Sequence, residues 1–192
     1  LFPHIAVLTG IAWDHINVFP TFDFYLEQFT IFITKIEKGG HLIYNETDET
    51  LRKLVEQHRR DDISYHPYAV PSHTISSGVT TVAFDGEQTR LNVFGEHNLL
   101  NMQAAFLVCK ELGIDAATFA KAIGTFTGAA KRLELITKND TTVFYRDFAH
   151  APSKVKATIE AAKAQFPDKR LIAVLELHTF SSLNEAFMNE YK

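Results

Sequence analysis

Three observations predict an α/β fold. Apolar runs that fit buried parallel strands alternate with helix-spaced stretches over the first sixty residues. A β-rich block with hairpin punctuation follows, and alternation resumes beyond the small-residue stretch Gly124-Thr125-Phe126-Thr127-Gly128-Ala129-Ala130. Polar residues able to do chemistry gather just past several of the strand-like runs, the edge at which open α/β sheets bind ligands.

Taken in order, Ile5 to Ile11 reads as a buried strand. Phe22, Leu26, Phe29, Ile33 and Ile36 recur at helical spacing until Gly39-Gly40 stops them. A strand over His41–Tyr44 and a charged helix over Glu49–Arg59 come next, and Tyr65–Ser77, with Pro67 and Pro71, reads as a loop. Val79–Phe84 and Gln88–Phe94 flank Asp85-Gly86, a two-residue hairpin signal. A helix from near Glu96 carries Leu99, Met102, Phe106 and Cys109 on one face and ends before Gly113. Asp115 is placed to cap a further helix to about Ile123. Beyond the small-residue stretch, strands over Leu133–Thr137 and Thr142–Asp147 lead to a helix opened by Pro152. Leu171–Leu175 reads as a second buried strand, completing a β-α-β unit, and Ser182 as the cap of a last helix.

Composition narrows the class. The chain has 192 residues, 46% of them hydrophobic, enough to bury a core. Its 19 basic against 23 acidic side chains give a net charge of −4, which argues against a nucleic-acid surface. No apolar run approaches the ~20 residues of a membrane span. The lone Cys109 allows no intrachain disulfide, so a cytoplasmic location is expected. Because the sequence opens on a strand and closes within a helical pattern, it is expected to be a piece of a longer protein.

Five segments carry candidate chemistry. Asp14-His15, after the first strand, offers a carboxylate and an imidazole, either metal ligands or a hydrogen-bonded loop pair. Asn98 and Asn101 in Gly95-Glu96-His97-Asn98-Leu99-Leu100-Asn101 share one face of a first helical turn, where their carboxamides match an adenine edge or cap the helix. Lys131-Arg132 puts cations after the small-residue stretch, within reach of a phosphate or solvated. Asp147-Phe148-Ala149-His150-Ala151-Pro152 places a carboxylate at a strand end and a histidine before a helix N-terminus, for a ligand or for the loop's own backbone. Glu176 and His178 fall after the last strand run; with no Gly-X-Ser-X-Gly elbow, a hydrolase triad is disfavoured.

In this order and spacing, the segments Leu8 to His15, Gly95 to Asn101, Phe126-Thr127-Gly128 through Lys131-Arg132-Leu133-Glu134, and Asp147 to Pro152 resemble the Mur ligase family, ATP-dependent amide-bond ligases of peptidoglycan assembly. The resemblance implies the later part of a central ATPase domain over residues 1–128 and the start of a Rossmann-like carboxyl-terminal domain over 129–192. It implies ATP and Mg2+ as cofactors, with His15 on the metal, His97, Asn98, Asn101, Arg132 and Asp147 on the nucleotide, Asp147 and His150 as catalytic residues, and His150 and His178 beside the substrate. The implied reaction joins UDP-N-acetylmuramate, through an acyl phosphate, to a cell-wall peptide or amino acid. Lys131-Arg132-Leu133-Glu134 and Asp147-Phe148-Ala149-His150 look most like the recycling branch, which uses the tripeptide L-alanyl-γ-D-glutamyl-meso-diaminopimelate. The alternatives are UDP-N-acetylmuramate–L-alanine ligase, a folylpolyglutamate synthetase-like ligase and a non-catalytic nucleotide-binding module. The family's Gly-Lys-Ser/Thr phosphate loop is absent, since no glycine precedes a lysine, so the isolated chain is expected to be inactive.

Overall fold

The computed structural model describes residues 1–13, 15, 17–177 and 191. It divides into two compact units, one of Leu1–Pro71, Phe84–Gly86 and Leu99–Phe119, the other of Ser72–Ala83, Glu87–Asn98 and Ala120–Lys192.

The first unit is built on a parallel sheet, β1 (Ile5–Leu8), β2 (His41–Asn45) and β3 (Ser64–Tyr68), in that spatial order. Ile5 sits opposite His41 and Tyr44 opposite Pro67. Helices α1 (Phe22–Thr34) and α2 (Glu49–Gln57) begin at Thr21 and Asp48, whose side chains accept a backbone N–H from the first turn. One cluster joins Ala6, Leu8, Leu42 and Tyr44 of the sheet to Ile33, Leu51, Leu54 and Val55 of these helices. A second joins Ile43 and Tyr68 to Ala104, Leu100, Leu107 and Val108 of α3 (Glu96–Glu111). With both faces covered, β2 buries Leu42 and Ile43 completely, each worth about 1.5–3 kcal/mol. Phe84, Phe106 and Phe119 pack with ring centroids 5.0–5.3 Å apart, so this part of the chain's phenylalanine content is core.

The stretch expected to be a loop contains two strands, β3 and β4 (His73–Ser76). Pro67 is compatible with β3 because, among the described strands, β3 is an edge and needs no donor on its outer side. β4 is exposed throughout, so no apolar alternation marks it in the sequence. It pairs antiparallel with β5 (Val79–Phe84), and β6 (Glu87–Leu91) completes a three-stranded sheet. Asp85 and Gly86 both have positive φ, 45° and 91°, as a type I′ hairpin turn requires. Asp115 accepts the Thr118 N–H at 2.7 Å and starts α4 (Ala116–Ile123), as expected.

In the second unit, β7 (Glu134–Lys138) and β8 (Val143–Arg146) form an antiparallel hairpin with a register shift between Leu135 and Thr137. Helix α5 (Pro152–Gln165) packs Ala161 against Phe94 and Leu133, with Tyr145 and Phe166 around them. Buried Gln165 accepts a hydrogen bond from the equally buried Thr80 hydroxyl at 2.9 Å.

The strand expected over Leu171–Leu175 does not form. Ile172 and Val174 are 72% and 95% exposed, and no sheet of the described residues takes this segment. An apolar run becomes a strand only where a neighbour satisfies its backbone, and among the described residues β7 and β8 pair solely with each other. The β-α-β unit is therefore not completed here, and Glu176 does not follow a strand. His178, Ser182 and the last expected helix lie outside the described residues, as does Asp14.

Candidate functional site

Four of the expected site residues, His97, Arg132, Asp147 and His150, meet in the second unit, where the turn between Lys131 and Glu134 presents Arg132. Both neighbours of Arg132 have left-handed backbones, Lys131 at φ 58° and Leu133 at φ 45°. Such conformations cost L-residues about 1–2 kcal/mol each and persist only where the surroundings impose them. Here the surroundings are the end of β8 and the residues after it. Asp147 Oδ2 accepts the Leu133 N–H at 2.7 Å, and the Phe148 N–H donates to the Lys131 carbonyl at 2.8 Å. Glu134 Oε2 accepts the Lys131 N–H at 2.8 Å and the Arg146 guanidinium at 2.9 Å. Those two donors hold the Glu134 carboxyl below the usual range. Arg132 itself lies on the surface, with its guanidinium 5.9 Å from the Phe148 ring centroid.

Asp147 is the hinge of this arrangement. Its second oxygen accepts the Ala149 N–H at 2.6 Å, so both oxygens satisfy backbone donors. An ionised carboxylate accepts about four hydrogen bonds, so capacity remains for a ligand. His150 Nδ1 lies 2.9 Å from the Phe148 carbonyl, which can only accept. Nδ1 therefore donates there, and the tautomer that makes this bond has its lone pair at Nε2. The Tyr191 hydroxyl donates to the His150 carbonyl. Pro152 follows at the start of α5, whose first turn has no side-chain cap.

His97 stands at the opening of α3. Its Nδ1 is buried and without a hydrogen-bond partner among the described residues. Burial is the main cause of its lowered pKa; the Asp147 charge opposes that, while Arg132 adds to it. The imidazole is thus neutral near pH 7. Asn98 does not cap α3: its amide donates to the Phe94 carbonyl at 2.7 Å, leaving its oxygen and second N–H for another partner. Asn101 is exposed, three residues on along the same helix.

His15 belongs to the first unit. It has φ 55° and is exposed, and its carbonyl accepts the N–H groups of Val18 and Phe19 at 2.8 and 2.9 Å. Two residues that the sequence reading missed shape the start of this loop. Asp48 accepts the Ile11 N–H at 2.6 Å with one oxygen and the Leu51 N–H at 2.9 Å with the other, joining the exit of β1 to the start of α2. Asn45, buried at the end of β2, donates to the Thr9 carbonyl and accepts from Thr47. The signal was present in Asn45-Glu46-Thr47-Asp48, an Asx turn running into a helix cap. A recess of about 800 Å³ in the second unit, bordered by Lys138, Asp140, Phe166 and Lys169, includes none of the expected site residues.

Comparison with known proteins matches two successive stretches of the sequence. The model of the Mur ligase middle domain matches residues 1–109, and that described as Mur ligase, glutamate ligase domain, matches residues 131–190. UDP-N-acetylmuramate–L-alanine ligase of Caldicellulosiruptor bescii is 30% identical over 200 residues, covering 98% of this chain and 44% of that protein. The chain thus spans less than half the length of the curated relatives it matches. Among solved structures, MurF from Acinetobacter baumannii superposes with a TM-score of 0.76 at 20% identity, over 98% of this chain and 43% of that one. MurF from Thermotoga maritima, in complex with ADP, gives 0.66 at 20% identity, over 82% and 38%. The murein peptide ligase Mpl of Psychrobacter arcticus gives 0.58 at 22% identity, over 94% and 39%. At these identities the superpositions show the fold.

Proposed function

The chain belongs to the Mur ligase family, and from that premise we propose that it is the ATP-handling portion of a UDP-N-acetylmuramate–L-alanine ligase. One observation carries the choice of substrate: 30% identity to a ligase of that name along 98% of the chain. This reverses the order that the motifs suggested. The tripeptide-joining reading rested on local wording around Arg132 and Asp147, and Mpl is related here at 22% identity, a likeness of fold alone. The tripeptide ligase stays the second reading. We place the domain boundary at 128/129, in the small-residue stretch between the two matched segments.

The family uses ATP, and the residues of the second unit fit that use. Arg132, presented by its pinned turn, offsets phosphate charge as the phosphoryl group moves. Asp147 positions that turn and keeps acceptor capacity for a nucleotide hydroxyl. Asn98 offers amide donors and an acceptor to the adenine, and Asn101, on the part of α3 that belongs to the first unit, is the family-matched position beside it. His97, held neutral, adds no charge beside Arg132. His150, with its lone pair at Nε2, is suited to accept a proton from the incoming ammonium. Magnesium prefers oxygen ligands, whereas His15 offers a nitrogen and both Asp48 oxygens already accept backbone N–H groups. An ion beside His15 would take most of its ligands from phosphates and water.

The test is a chimera in which this chain replaces the matched segment of the Caldicellulosiruptor bescii ligase, so that a phosphate loop and a UDP-binding domain precede it. We expect UDP-N-acetylmuramate-dependent phosphate release with L-alanine to exceed that with the tripeptide, and Arg132→Ala and Asn101→Ala to raise KM for ATP. Preference for the tripeptide installs the second reading. A soluble chimera that turns over neither substrate leaves a non-catalytic nucleotide-binding module.

A further inference from the structure

At the opposite edge of the first unit's sheet from His15 lies a cluster that the ligase reading does not use. His41 is the first residue of β2, and His66 sits on the adjacent β3, opposite Ile43. The two rings stack with centroids 5.1 Å apart, and His41 Nδ1 is 2.9 Å from His66 Nε2. Glu111, the last residue of α3, brings Oε2 to 3.3 Å from His41 Nδ1 and Oε1 to 3.7 Å from His66 Nδ1. One ligand atom from each residue lies within 4.8 Å of the other two.

From this juxtaposition of two imidazoles and a carboxylate on three packed elements, we propose that His41, His66 and Glu111 form a zinc-type divalent metal site. The donor set is the first reason. Two nitrogens and one carboxylate oxygen, with a fourth position open to water, suit zinc and its later first-row neighbours, while magnesium takes oxygen ligands. Geometry is the second. Tetrahedral zinc with bonds of about 2.0–2.1 Å separates its ligand atoms by roughly 3.4 Å. The 3.3 Å between His41 and Glu111 meets that already. The 2.9 Å between the imidazoles must open by about half an ångström. Placement is the third. His41 and His66 share the sheet face that carries Ile43 and Tyr68, and Leu107 and Val108 of α3 pack on that face. Glu111 follows those two by one helical turn, so core packing delivers its carboxylate to the histidines. The side chains keep 26–30% of their exposure, enough for an ion to enter from solvent.

An ion here ties β2, β3 and α3 together at the amino-terminal end of the strands, away from the loop that holds His15. Its role is to brace the unit, separate from phosphoryl transfer. The chelator-stripped 192-residue chain, titrated with zinc against a chromophoric chelator, should take up one equivalent at this site and unfold at higher temperature once loaded. Magnesium in excess should not compete. Loss of a partner to a metal-bound imidazole already costs about 10- to 100-fold in affinity, so removing a ligand with His66→Ala should weaken zinc at least that much and abolish the thermal shift. Glu111→Gln, a surface change that preserves shape, should weaken it and covers the case in which His66→Ala does not fold. His58→Gln, at an exposed histidine of the same unit, should leave it unchanged. The proposal is overturned if the chain takes up no stoichiometric zinc. It is equally overturned if His66→Ala and Glu111→Gln, folded by circular dichroism, bind it like the parent.

Discussion

Gly95 opens the motif that leads to His97, and its substitution tests how tightly that motif is held. It has φ 94°, and a Cβ built there would lie 2.6 Å from the Cβ of Ala161 on α5 and 3.0 Å from Cε1 of His97. Gly95→Ala therefore incurs two costs. A positive φ penalises any L-residue by about 1–2 kcal/mol, and overpacking adds about 1–3 kcal/mol, for a sum of about 2–5 kcal/mol. Ala161→Gly alone costs about 1–2 kcal/mol, from glycine inside a helix and one lost buried methyl. It also removes the atom that the new Cβ strikes. The double variant should then be less destabilised than the sum of the singles by the Ala161 share of the overpacking term, at most about 3 kcal/mol and more than about 0.5 kcal/mol. The assay is urea unfolding of the 192-residue chain and its three variants, with amide exchange in α5 identifying the transition that carries this unit. Additivity within about 0.5 kcal/mol would refute the reasoning, since it would mean that Gly95 and Ala161 are not in contact.

Three further outcomes follow from the same unit. The His97 imidazole, its pKa lowered mainly by burial, binds its proton less readily folded than unfolded. Stability should therefore be complete above about pH 6.5 and fall as pH drops from there toward the folded value, a slope that His97→Gln removes. Because Asp147 opposes the shift, Asp147→Asn should move the His97 titration still lower by NMR; an upward move would show that the carboxylate does not act on that ring. Lys131→Gly should relieve about 1–2 kcal/mol of backbone strain against about 0.5–1 kcal/mol of lost chain restriction, leaving stability unchanged or slightly raised. A loss above about 1 kcal/mol by thermal unfolding would show that the lysine side chain supports the fold.

Elements with a local cause were legible in the sequence. The Asp115 cap, the Asp85-Gly86 turn and the Pro152 helix start each need a particular residue at a particular φ or hydrogen bond, whereas α1 ends at Thr34, short of the Gly39-Gly40 stop expected for it. Strands whose cause is non-local were not. β3 exists because β2 is beside it, and nothing in Ser64-Tyr65-His66-Pro67-Tyr68 signals that neighbour. Leu171–Leu175 erred the other way, a strong pattern that joins no strand among the described residues. At the site, residue identities were readable but their mutual roles were not. Asp147 reads as a ligand, and its backbone bond to Leu133 depends on a turn fourteen residues earlier. Asn98 reads as a cap because residue type says nothing about which way an amide turns. The trio of His41, His66 and Glu111 is scattered over seventy residues and comes together only through sheet register and helix packing.

The two strained residues that flank Arg132 have different physical justifications, and the difference bears on function. Leu133 is 7% exposed, in the cluster with Phe94 and Ala161, so glycine there would relieve the backbone and forfeit about 1.5–3 kcal/mol of burial. Its strain is the consequence of a core position. Lys131 is exposed, its backbone bonds to Phe148 and Glu134 would survive in glycine, and the core gains nothing from its side chain. What glycine would lack is the ammonium. A cation kept at a conformationally costly position, beside an arginine with a strained residue on either side, fits the phosphate contact proposed for Arg132. In a chain of net charge −4 the positive potential has to be made locally. A turn that strands two cations at the surface, with Asp147 and Glu134 spent on its backbone, makes it there.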